Sequence, residues 1–267
     1  QRPAQFPCAH GEPDAGSAPF DPEDRPRMPR TAILHYHQFK NAGTSVDHLL
    51  QASFPGQWQT REFPLKGNDN SDAVGTCIAD TPDAVAYSSH TMLGPIPSVE
   101  GLDIISLLLL RDPIDRIVSA YRFERDQNAD TWGAELAKTR DFEGYVRARL
   151  DRPGDKQCRN FQTNRLVMMQ PGKGAFMERA KAALDQITVT GLVEEFDAAM
   201  AELAAACKAR GLSFEPRRVR RNSGKSAEPI EIGAELAHDL EEANKGDRAL
   251  IAYLRARKRA VPAGVAG

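Results

Sequence analysis

Thr31-Ala32-Ile33-Leu34-His35-Tyr36-His37-Gln38-Phe39-Lys40-Asn41-Ala42-Gly43-Thr44-Ser45 opens as a β-branched and aromatic run and ends as the start of a helix. The run Thr31 to His37 reads as a first strand. Beyond the loop, Val46, Leu49, Leu50 and Phe54 recur at i, i+3, i+4 and i+8, the spacing of one buried helix face, and Pro55-Gly56 stops the helix. A second junction of the same kind follows. Ile104 to Leu110, interrupted only by Ser106, is apolar on both faces, which suits the centre of a parallel sheet covered by helices. It passes into Arg111-Asp112-Pro113-Ile114-Asp115-Arg116-Ile117-Val118-Ser119, where Asp112 is a good N-cap and Pro113 a good first helical residue. Ile114, Ile117, Val118 and Tyr121 then share one face of that helix.

Outward from these junctions, Val85 to His90 reads as another strand. Residues 64–83 are polar and turn-rich and read as a loop. Helices are expected near 133–150, 157–170 and 176–186, followed by a strand over Ile187 to Val193 and a helix from about Asp197 to Arg210 that Gly211 ends. Helical sequence over 233–258 closes the domain. Strands alternating with helices argue for a three-layer α/β fold around a central, mostly parallel sheet. Seven of the 18 prolines fall within residues 1–30, so that stretch reads as an N-terminal arm, with one domain over 31–258 and a tail over 259–267.

The 35 Lys and Arg nearly balance the 37 Asp and Glu, so nothing in the overall charge points to nucleic acid, and any anion site must be local. The longest apolar run is far shorter than the ~20 residues that cross a bilayer, so no membrane span is expected. Cys8, Cys77, Cys158 and Cys207 lack the spacing of a metal site or a disulfide framework. Free thiols in a cytoplasmic protein are the expectation. A Cys77–Cys158 bridge in a lumenal or secreted protein that has lost a leader is the alternative.

A helix N-terminus leaves amides unpaired and carries partial positive charge, so it holds an anion well. At the first junction Gly43 admits close approach, Thr44 and Ser45 add hydroxyls and Lys40 adds a full charge. The same residues also suit an ordinary strand-to-helix turn with a solvated lysine. The order is not that of a Walker A loop, in which Lys follows the glycines and directly precedes Ser or Thr. At the second junction Arg111 leaves a strand end and Ser119 lies about 10 Å along the helix, on the same face, within reach of one phosphate if the arginine extends. Alternatively, Arg111 pairs with Asp115 and Ser119 is a packing residue.

Taken together, HxxKNAGTS and RDPIDRIVSAY resemble the two donor-binding motifs of the sulfotransferases that use 3′-phosphoadenosine 5′-phosphosulfate (PAPS). The likeness is to the carbohydrate branch with the heparan sulfate 2-O-sulfotransferases and their bacterial relatives. It continues through Ser89-His90-Thr91, Asn160 to Leu166, Gly191 to Asp197 and Asn222-Ser223, then Asn244 and Asp247, covering about 31–254 in order. The chain departs from the family at Phe39 and Asn41, where Pro and Thr are usual.

The resemblance implies a P-loop-like sulfotransferase fold, PAPS as donor, 3′-phosphoadenosine 5′-phosphate (PAP) as product, and no metal. Asn41, Ala42, Gly43, Thr44 and Ser45 would hold the 5′-phosphosulfate, and Arg111 with Ser119 the 3′-phosphate. Lys40 would sit on the bridging oxygen, where charge grows as the bond breaks. His90 would be the base that deprotonates an acceptor hydroxyl, most naturally of a carbohydrate. Glu62 and Glu124 are reserve bases, and His37 reads as packing behind the site. Lys225, in the basic run Arg217 to Lys225, either closes over the nucleotide or belongs to a solvated face. A P-loop-type kinase and a non-catalytic nucleotide-binding module are the competing readings. Loops 64–83, 126–142 and 151–158 would build the acceptor groove, and their composition names no acceptor or oligomeric state.

Overall fold

The computed structural model describes residues 30–64, 67, 69–216 and 229–260. The arm up to residue 29, the basic run with Lys225, and the tail from residue 261 lie outside the described residues.

Five parallel strands form the sheet: β1 (Arg30–Tyr36), β2 (Trp58–Thr60), β3 (Ala86–Ser89), β4 (Leu102–Leu110) and β5 (Val189–Leu192), in the order β2-β3-β1-β4-β5. The fold is α/β in three layers, as the alternation of strands and helices requires. Alternation along β1 explains the two covered faces. Ala32, Leu34 and Tyr36 face a core shared with Leu108, Leu110 and helices α2 (Ser71–Asp80), α6 (Phe161–Met169), α7 (Phe176–Gln186) and α10 (Lys245–Ala260). Ile33 faces the other core with Leu107, Leu109 and helices α1 (Gly43–Ser53) and α8 (Phe196–Lys208). Each fully buried Leu in these layers contributes roughly 1.5–3 kcal/mol of transfer free energy. A third cluster, around Tyr121, Tyr145 and Leu240, packs α3 (Pro113–Asp126) against α5 (Phe142–Asp151) and α9 (Ala234–Ala243).

Several boundaries differ from the sequence reading. Residues 71–80 are helix α2, not loop. Its apolar face is only Val74, Cys77 and Ile78, and Gly75 sits where the helix closes on Pro97 and Val99. Strand β2 is too short to show an alternation. The expected helix 133–150 is two: α4 (Trp132–Thr139) and α5, each with its own N-cap, Thr131 and Asp141. Helix α6 starts at Phe161 and not near 157, because Asn160 adopts φ 43° and breaks the path into it. Asn244 divides the C-terminal helical stretch into α9 and α10. Cys77, Cys158 and Cys207 are buried free thiols, so the alternative Cys77–Cys158 bridge is absent. Among the described residues no helix is long and apolar enough to cross a membrane.

The strand order positions the site. After β1 the chain crosses to the sheet edge for β2, returns through β3, then passes to the far side of β1 for β4. Loops leaving β1, β3 and β4 at their carboxyl ends therefore surround one crevice, the usual ligand position in such sheets.

Candidate functional site

A cleft of about 540 Å³ opens there, a volume suited to a small-molecule ligand. The loop after β1 forms its floor. Lys40 and Ala42 adopt left-handed backbone conformations, φ 66° and 59°. For residues with a Cβ this costs about 1–2 kcal/mol each. The surroundings hold the loop in place: Arg111 Nη1 donates to the Lys40 carbonyl at 3.0 Å, and Asn41 Nδ2 donates to Leu109 O at 2.7 Å. Among the described residues no side chain caps helix α1; the Ser45 amide turns back to Ala42 O at 3.0 Å, and the amides ahead of it are left for an anion. Gly43 is required by close approach, since a Cβ there would fall 2.0 Å from the His37 ring.

Helix α3 forms one wall and behaves differently. Asp112 caps it, accepting from the amides of Ile114 (2.9 Å) and Asp115 (3.1 Å), so this N-terminus is already satisfied. Anion binding on this side falls to side chains. Arg111 and Ser119 both line the cleft, together with Asp115 and Phe123. Burial, then the nearby Asp112, pushes the Asp115 carboxyl above its ordinary value, against the pull of Arg111. The Lys40 ammonium lies 4.5 Å from the centroid of the Phe123 ring, and Phe39 meets Phe123 edge-on at 5.4 Å. Desolvation first, and the Arg111 charge second, pull the Lys40 ammonium below its ordinary pKa. A bound anion would counter both causes.

His37 and His90 form the opposite wall, with the buried His35 stacked on His37. The rings of His37 and His90 are 3.8 Å apart, and those of His35 and His37 are 5.2 Å apart. Each outer ring has a carboxylate behind it. His90 Nδ1 donates to Glu62 Oε1 at 2.9 Å, which leaves Nε2 as the lone-pair nitrogen. Burial would raise the Glu62 carboxyl, but hydrogen bonds from His90 and Thr91 outweigh it and hold Glu62 below its ordinary value. His37 Nδ1 donates to Asp47 Oδ2, and His35 Nδ1 to Asp47 Oδ1, both at 2.9 Å. Asp47 is held far below the usual carboxylate range: burial opposes this, but its bonds to His35, His37 and Ser88 prevail. Ligating atoms of His35, His37 and Asp47 lie within 4.8 Å of one another, yet a cation there would have to displace both imidazole protons from the carboxylate.

Lys40, Ala42, Gly43, Thr44, Ser45, Arg111, Ser119 and His90 thus meet in one cleft. Asn41 is the exception among the described candidates. It is buried, its amide nitrogen donates to Gln38 O, and its side chain points inward to Leu109 and Gln162, so it braces the loop instead of facing the cleft. Glu62 orients His90 and does not stand as a separate base. Glu124 is bound by Arg149 Nη2 (2.6 Å) and Tyr145 OH (2.7 Å), and is not part of the cleft lining. His37 lines the cleft, whereas the sequence suggested packing behind it; the HxH alternation of β1 with Asp47 ten residues on was the available signal. Val193, Glu194 and Phe196 complete the wall, and they come from the Gly191 to Asp197 segment already singled out.

No family model matches the chain. An uncharacterized protein of Archaeoglobus fulgidus is 34% identical over 242 residues, which cover 84% of this chain and 95% of the archaeal one. At that identity along nearly the whole archaeal chain, the chain belongs to the same family as that archaeal protein.

Proposed function

We propose that the protein is a PAPS-dependent O-sulfotransferase with a P-loop-like sulfotransferase fold, acting on a hydroxyl of a carbohydrate. The observation that carries this reading is the meeting of Lys40, the uncapped α1 N-terminus, Arg111 and Ser119 in one cleft with His90 in its wall. The two anion-gripping groups come from separate strand ends, which suits a nucleotide phosphorylated at both its 3′ and 5′ positions. In the transfer, an acceptor oxygen attacks sulfur and the bond from sulfur to the bridging oxygen breaks. His90 Nε2 takes the acceptor proton, with Glu62 behind it. PAP leaves with charge on the former bridging oxygen, where the Lys40 ammonium stabilises it. Positioning and charge stabilisation supply most of such a reaction, as in phosphoryl transfer.

The kinase alternative has less support, because Lys40 precedes the glycine and Asp112 is engaged as a helix cap by two amides and by Arg248. The test is transfer of labelled sulfate from PAPS onto a panel of glycans and phenols. Incorporation into a glycan supports the proposal; no transfer to any hydroxyl, with phosphate transfer from ATP instead, contradicts it. Arg111→Ala is expected to weaken PAP binding about 10- to 100-fold by calorimetric titration, the range of a lost charge-assisted contact. An unchanged affinity would remove Arg111 from the phosphate site.

A further inference from the structure

We infer that Gln162 is the positioning residue that locks the two phosphate-gripping segments against each other. Gln162 is fully buried at the start of α6, away from the cleft lining, and all four of its side-chain hydrogen-bonding positions are used. Oε1 accepts from Asn41 Nδ2 at 2.9 Å and from the Arg111 amide at 2.8 Å. Nε2 donates to the Arg111 carbonyl at 2.8 Å and to Asp247 Oδ2 at 3.2 Å. One amide group therefore bonds the loop after β1 and both backbone polar groups of the first residue after β4.

The orientation of that amide is dictated chemically. A backbone N–H only donates and a carboxylate only accepts, so Oε1 must face Arg111 N and Nε2 must face Asp247. Asp247 is itself fixed. It is fully buried, and accepts from Thr163 N (2.8 Å), Thr163 Oγ1 (2.6 Å) and the Gln162 amide (3.2 Å). Asn160 Oδ1 accepts from Gly246 N at 2.8 Å and from Asp247 N at 3.2 Å, tying the start of α10 to the start of α6. The chain of contacts runs from α10 through Gln162 to Asn41 and Arg111. It gives the strained turn at Lys40 and Ala42 a second anchor besides the Arg111 guanidinium. A flexible replacement would let the lysine and the arginine drift relative to each other, and small misplacements of gripping groups are costly.

The affinity part of the test rests on the proposed donor site; the exchange part does not. Gln162→Met keeps the length of the side chain and removes every hydrogen bond that the side-chain amide makes, leaving only the backbone bond to Asp247. Thr163→Val removes a bond to the same Asp247 carboxylate without touching either segment, and so controls for general loosening. Amide hydrogen exchange in Gln162→Met is expected to quicken about tenfold both at residues 40–45 and at Arg111, with Thr163→Val leaving both near wild type. PAP should bind Gln162→Met about tenfold more weakly, and Thr163→Val within about twofold of wild type. If Gln162→Met fails to fold, Asp247→Asn keeps the shape and loosens the orientation of Gln162, and the same two segments should quicken by a smaller factor. Exchange that quickens at neither segment, or equally in both variants, overturns the inference. If wild-type protein binds no PAP, the donor reading fails and exchange alone decides the role of Gln162.

Discussion

Lys40→Ala is expected to lower the rate of sulfate transfer about 10²- to 10³-fold while PAP still binds, the loss typical of removing one donor that serves the transition state. The asymmetry follows from the site. In the proposed ground state the phosphates would face the α1 N-terminus, Thr44, Ser45, Arg111 and Ser119, which line the cleft with Lys40, so the lysine would be only one of several gripping groups. In the proposed transfer, charge accumulates on the oxygen that leaves sulfur, and Lys40 would supply the cation on that side. Its ammonium is half-buried beside Phe123, so its charge is less screened than that of a surface lysine. Lys40→Arg should restore little, because a planar fork differs in shape and reach from an ammonium. Single-turnover rates and PAP titration separate the two effects. A rate within a few-fold of wild type would exclude Lys40 from the chemistry, and a collapse of PAP affinity would assign it to binding.

His90→Ala is expected to lower the transfer rate about 10²-fold and leave PAP affinity near wild type. His90 is half-exposed at the cleft wall, 50% by side chain, so it can meet an acceptor arriving from solvent. Its Nδ1 is occupied by Glu62, which fixes the tautomer that accepts a proton on Nε2. Glu62→Gln should give a smaller loss, since an amide can still accept from Nδ1 but no longer stabilises the imidazolium by charge. Added imidazole should recover part of the rate in His90→Ala and none in Lys40→Ala. Full activity in His90→Ala would transfer the base role elsewhere, with His37 and its Asp47 partner the nearest arrangement of the same kind.

Much of this site could be read from the chain before its fold was known. A run apolar on both faces, Ile104 to Leu110, does mark a central strand, and Asp112-Pro113 does start a helix. Because parallel strands deliver their carboxyl ends to one edge, the residues just after those runs had to converge, and Lys40, His90 and Arg111 do. What remained hidden depends on contacts distant in sequence. Asn41 looked like a ligand because it sits among candidate ligands; only Leu109 O and Gln162, brought in by β4 and α6, turn it inward. Glu62 looked like a rival to His90 until the chain after β2 placed it against Nδ1. Helix α2 went unseen because the run Lys66 to Ser71 and the polar residues after it read as turn chemistry, and its short apolar face matters only beside Pro97 and Val99. Local spacing carries strand and helix identity, whereas the partner of a buried polar group is fixed by tertiary structure.

The central claim is that one cleft grips both ends of an adenosine bisphosphate, and its most direct test is the shift in melting temperature with PAP against ATP and Mg²⁺. A ligand at 100 times its Kd adds about 2.7 kcal/mol to stability, which corresponds to a shift of several degrees. PAP should produce such a shift, ATP with Mg²⁺ little, and Arg111→Ala a reduced shift with PAP. Stabilisation by ATP and Mg²⁺ with none from PAP would contradict it.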